Sequence, residues 1–107
     1  MSYREDIQLA LRKDAAARLD GMLIGRNDVA AILAQCTESG KNGSRLLTWW
    51  GCGDWGASKE SLLILRFIEK ESALNKGKDI RYARVGEEPG DYECKGGWRR
   101  NPFGIGA

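Results

Sequence analysis

The run Thr48–Gly56 reads T-W-W-G-C-G-D-W-G and holds three of the chain's four tryptophans. Each indole buries roughly 150–250 Å² when packed. Any fold of this chain must therefore build walls around the segment, and its glycines let the backbone come close to the rings. Adjacent Trp49 and Trp50 point to different sides whether the segment is helix or strand. With one core available, at least one of them is left partly exposed. Tryptophan is enriched where interfaces carry their binding energy. Trp49, Trp50 and Trp55, with Asp54 between them, are accordingly the candidate partner-binding set.

One core is what the length allows. A chain of 107 residues is the size of one domain and buries roughly 60–68% of its unfolded surface. An apolar fraction of 42% against 30% charged is a globular composition rather than a disordered one. Most of the 14 glycines lie after Gly40, so the first third is built differently from the rest. The net charge is +2, with a mildly acidic first third and a mildly basic C-terminal third. That falls short of a strong nucleic-acid footprint.

Cys36, Cys52 and Cys94 are odd in number and widely spaced, a poor disulfide framework. A reducing, cytoplasmic setting fits them better. The opening residues Ser2–Asp6 are polar and charged, unlike a signal peptide. No run approaches 18 apolar residues, so no membrane association is expected.

Residues 3–20 are expected to form a helix, because Ile7, Leu11, Ala15 and Leu19 recur every four positions. A narrow stripe of that kind could pair with a second copy, giving a homodimer. Asn27 or Asp28 can cap a second helix carrying Val29, Ile32, Leu33 and Cys36 on one face. Residues 37–44 read as a polar loop, and Arg45–Trp50 as either a helical turn or a strand. Ser58 is a good cap for a third helix to about Asn75, stopped by Gly77, with a strand over 62–68 as the competing reading. Ile80–Val85 and Tyr92–Lys95 read as strands joined by the type II turn signal Glu88-Pro89-Gly90-Asp91. The expected fold class is α+β: about three helices followed by a C-terminal β-hairpin, one domain over residues 1–100, and a loose tail over 101–107.

The chain has no histidine, hence neither the commonest general base nor the commonest zinc ligand. The cysteines lack the close pairing of a zinc or iron–sulfur site. No catalytic residue, metal site or cofactor is implied. Cys52, between two glycines ahead of a helix, reads as a thiol in a tight turn. Asp54 and Glu60 read as a turn residue and a helix first-turn residue. The leading expectation is a non-enzymatic binding protein, a small accessory or inhibitory factor acting on a larger protein machine. Its size and simplicity are those of phage or mobile-element factors.

Two other classes compete. Arg81, Arg84, Lys95, Trp98, Arg99 and Arg100 combine phosphate-contacting cations with a stacking ring, the ingredients of a nucleic-acid surface. A helix-then-hairpin order also suggests a winged helix, with residues 45–75 as the helix-turn-helix and 80–95 as the wing. The glycine–tryptophan loop could instead sequester a small nucleotide-like ligand ahead of a helix start.

Overall fold

The computed structural model describes residues 3–106. Its elements, in chain order, are β1 (Glu5–Leu11), α1 (Lys13–Leu23), α2 (Asn27–Ala34), β2 (Thr37–Lys41) and β3 (Ser44–Cys52). After these come α3 (Lys59–Ala73), a short 3-10 turn (Leu74–Gly77), β4 (Ile80–Gly86) and β5 (Tyr92–Lys95). The five strands form one antiparallel sheet in the order β2-β3-β1-β4-β5.

The α+β class holds, but helices followed by a terminal hairpin does not. Strands and helices interleave, and the chain begins with the sheet's central strand. The error lies in residues 5–11. A spacing of four satisfies a helical period, but it is also twice the strand period. Ile7, Leu9 and Leu11 alternate with Asp6, Gln8 and Ala10, and the first three are fully buried. The helical pattern belongs only to Ala15 and Leu19, which α1 buries. A dimer through an N-terminal helical stripe loses its basis, because half that stripe is a central strand.

The winged-helix arrangement falls with it, since residues 45–52 are strand. The polar run 37–44 is a hairpin, closed by Asn42 and Gly43 at positive φ. It was hidden because every residue of β2 is exposed, leaving no apolar alternation to read.

All three helices contact one face of the sheet, where the main core lies. Ile7, Leu9, Leu11, Leu47, Ile80 and Tyr82 come from the strands, and Leu19, Ile32, Ile64, Phe67 and Ile68 from the helices. Residues 62–68 are helical, capped by Ser58, whose Oγ accepts from the Ser61 amide at 3.1 Å. The reverse face carries a smaller cluster: Ala10 with Trp98 and Ile105, and Leu46 and Phe103 beside them. Residues 101–106 thus lie on the sheet. The Asn101 side chain pins them, donating to the Trp98 and Ile105 carbonyls and accepting from the Phe103 and Ile105 amides.

Candidate functional site

The tryptophan segment separates into two parts with different duties. Trp49 points into the main core, where its indole N–H donates to the Ile32 carbonyl at 2.9 Å and so ties α2 to the sheet. Trp55 is also buried and donates to the Tyr82 hydroxyl at 2.9 Å. The Trp49 and Trp55 rings lie 5.1 Å apart, and Trp55 stacks over Tyr82 at 6.5 Å. Burial pushes the Tyr82 phenol up to about 12. These rings are core, and their hydrogen bonds are used internally.

Trp50 faces the other way and keeps 66% of its surface exposed, against 3% for Trp49. A β-bulge sets its position. Glu5 pairs with Cys52 and Ile7 with Trp49, so Trp50 and Gly51 together oppose Asp6. Gly51 takes a φ of +58, and its amide donates to Asp6 Oδ1 at 2.8 Å. The glycines that seemed to oppose regular structure therefore bend β3 at its end rather than interrupting it.

On the reverse face the 98–106 segment covers the rows around Ala10 and Leu46. The row at the Glu5 end stays open. It runs from Trp50 through Asp6 and Val85 to Tyr92, because Asp6 pairs with Val85 and Val85 with Tyr92. Val85 is 49% exposed and Tyr92 58%. Strands about 4.8 Å apart set Trp50 and Tyr92 roughly 14 Å from each other. Sequence reasoning missed Val85 and Tyr92 as members of this row, since only the sheet order brings them alongside Trp50.

Carboxylates surround the row. Asp6 lies within it. Glu87 accepts the Arg4 amide at 2.8 Å, and Glu88 is exposed beside it. Arg84 is taken up by Glu5 at 3.0 Å and Asp91 at 2.9 Å. Its guanidinium, with the Tyr3 hydroxyl, holds the Asp91 carboxyl below the usual aspartate range. Asp54 is exposed and accepts from the Cys52 thiol at 3.3 Å. Burial, first, and the neighbouring carboxylates raise the Cys52 thiol, which moves it away from the thiolate a nucleophile needs.

The remaining residues singled out from the sequence are scattered. Arg81 is buried, donating to the Gly96 and Gly106 carbonyls. Arg84 is ion-paired, and Lys95 lies 3.9 Å from Glu69. Trp98 is buried beneath Arg12, whose guanidinium carbon sits 4.9 Å from the ring centre. Only Arg99 and Arg100 are freely exposed. The glycine–tryptophan loop borders two shallow clefts of about 210 and 250 Å³, which share Gln35 and Asp54. Their acidic members, Asp54 and Glu60, oppose a phosphate-bearing ligand, and the Trp49 and Trp55 rings cannot clasp one.

Among the described residues, no three histidine, cysteine or carboxylate side chains gather as a metal site would require. No helix there is long and apolar enough to cross a membrane. Compared with known protein families, curated proteins and solved structures, the chain matches none.

Proposed function

We propose that this chain is a non-enzymatic binding protein, an accessory or inhibitory factor that docks a larger protein partner on the Trp50–Val85–Tyr92 row. The observation that carries this reading is the exposure of Trp50 in one cross-strand row with two further exposed apolar side chains, Val85 and Tyr92. A lone exposed apolar residue needs no explanation, but three exposed apolar side chains in one row across the sheet, with charge in and around the row, are how interaction surfaces are built. Tyrosine and tryptophan supply contact area at little cost in side-chain freedom. Asp6, Glu87 and Glu88 outnumber Arg4, whose guanidinium donates to the Gly51 carbonyl at 3.3 Å. They leave the frame net negative, which suits a partner whose contact region is rich in Lys and Arg around an apolar anchor.

The test is affinity capture with the wild-type chain, Trp50→Ala and the rim reversal Asp6→Lys/Glu88→Lys, read by mass spectrometry. One protein is expected to be retained by wild type, to be lost from both variants, and to fall away as salt rises. Its contact region should be basic. If Trp50→Ala retains the same protein to the same extent, the reading is wrong.

A further inference from the structure

The net charge of +2 conceals a segregation along the strands. Carboxylates collect at the Glu5 end of β1, while its Leu11 end is basic. Elsewhere Arg18, Arg26, Arg45, Arg84 and Lys95 each sit within ion-pair distance of a carboxylate, while Lys59, Arg66 and Lys70 on α3, Arg4 ahead of β1 and Lys41 beside the β2–β3 turn lack such a partner among the described residues. At the basic end, Arg12, Lys13, Lys76, Lys78, Arg99 and Arg100 have none among the described residues either. Two carboxylates lie nearby. Asp79 is engaged by Arg18 at 3.1 Å, and Asp14 stands alone.

Backbone packing brings these cations to one place from separate parts of the sequence. Asn75, Lys76 and Gly77 take successive left-handed conformations, with φ of 49°, 60° and 69°. This tight reversal lies against Gly96 and Gly97. The Gly97 amide donates to the Gly77 carbonyl at 2.8 Å, and a Cβ on Gly97 would collide with the Lys76 carbonyl. The glycine pair therefore admits the backbone that carries Lys76 and Lys78 next to the segment carrying Arg99 and Arg100. The stem of Lys13 packs on the β2–β3 hairpin, 3.4 Å from where a Gly43 Cβ would sit. Between these segments lies an open cleft of about 360 Å³, with Arg12, Lys13, Lys78, Ser44 and Trp98 in its walls beside Asp14 and Asp79.

We infer that this basic end is a binding site for the phosphodiester backbone of a nucleic acid, separate from the protein-docking row. Unpaired cations spread over three chain segments match a ligand with repeated charges better than a single small anion. Contact is with the backbone rather than the bases, because Trp98 is buried with one ring face under Arg12 and gives no stacking platform. The site is not the one expected from sequence: Arg81, Arg84 and Lys95 are withdrawn from it, while Arg12, Lys13, Lys76 and Lys78 join Arg99 and Arg100.

The experiment is fluorescence anisotropy with a labelled 12-nucleotide single strand and a 12-base-pair duplex, titrated with the intact chain. Binding is expected for at least one of the two. If four cations engage a single strand, affinity should drop about 50-fold between 50 and 200 mM salt, from a slope of roughly −0.7 per phosphate contact. Lys13→Glu/Lys78→Glu should weaken binding at least about tenfold, and the milder Arg99→Gln/Arg100→Gln by about threefold or more. Lys59→Glu/Arg66→Glu makes the same charge change as the first pair, on exposed positions of α3, and should leave affinity within about twofold. No binding of either oligonucleotide at 50 mM salt overturns the assignment. Equal weakening by the α3 pair overturns it as well, by reducing the effect to net charge. Inorganic phosphate at millimolar levels should compete no better than chloride of matched ionic strength. Full displacement by it would assign the cleft to a free anion instead.

Discussion

Truncating each of the adjacent tryptophans separates folding from binding. Trp49 is buried almost completely, so about 150–250 Å² of ring surface at about 25 cal/mol per Å² amounts to roughly 4–6 kcal/mol of lost cover in Trp49→Ala. The same change leaves the Ile32 carbonyl without its donor, adding about 1 kcal/mol. Measured truncations of buried aromatics cost about 3–5 kcal/mol, since neighbours relax into part of the gap. Trp50 buries only about a third of its surface, which caps its contribution at roughly 1–2 kcal/mol on the same scale. A difference of about 3 kcal/mol is therefore expected between the two variants. Urea denaturation followed by far-ultraviolet circular dichroism reads it directly. With a slope of about 1–3 kcal/mol per molar urea, the midpoints should lie 1 M or more apart, with Trp50→Ala close to wild type. Equal midpoints, or a lower one for Trp50→Ala, would refute the division of the pair into a core ring and a surface ring.

Two further outcomes follow from the geometry. Gly77→Ala puts a Cβ at a φ of +69, 2.9 Å from the Gly97 amide nitrogen and 3.0 Å from the Ser72 carbonyl oxygen. It should cost about 1–3 kcal/mol in the same urea assay, whereas Gly90→Ala, at φ +83 with open space around it, should cost less. Asp91 has its carboxyl held below the ordinary value of 3.8, first by Arg84 and then by Tyr3. A depressed folded value stabilises the fold above 3.8, and that contribution disappears as the pH falls through the folded value. The melting-temperature gap between wild type and Asp91→Asn should thus be constant from pH 7 to 5 and close below pH 3.8; a gap that persists at low pH contradicts the pairing.

Local signals in the sequence were readable where a cap, stop or turn stands out. The Ser58 cap and the Gly77 stop bracket α3, although its apolar run over 62–68 also fits a strand. The Pro89-Gly90 turn also stands, with the Asp91 amide donating to the Glu88 carbonyl at 3.1 Å. Residues 7–19 were ambiguous because a spacing of four fits both periods, and only the sheet's need for an apolar central strand decides it. Polar β2 carries no alternation at all. At the site, the divergence of Trp49 and Trp50 was legible from adjacency alone. Which of them faces the core depends on the register between β1 and β3. The Val85–Tyr92 pairing belongs to the local hairpin, but that hairpin joins the Trp50 row through the pairing of β1 with β3 and β4, there across more than 40 residues, which no local pattern encodes. The basic end was illegible for the same reason. Its cations come from the start of α1, the 3-10 turn and the final segment, and become neighbours only through backbone packing of the glycines at 77, 96 and 97.

The central claim, that the Trp50 row docks a protein, is tested most directly by placing a photo-crosslinking phenylalanine analogue at position 50 and, separately, at position 62. Leu62 is also exposed, but it lies on α3, on the opposite side of the sheet. Irradiation in cells that carry the chain is predicted to give one discrete protein adduct from position 50, lost when Asp6→Lys/Glu88→Lys is added, and no such adduct from position 62. No adduct at 50, or the same adducts from both positions, would contradict the account.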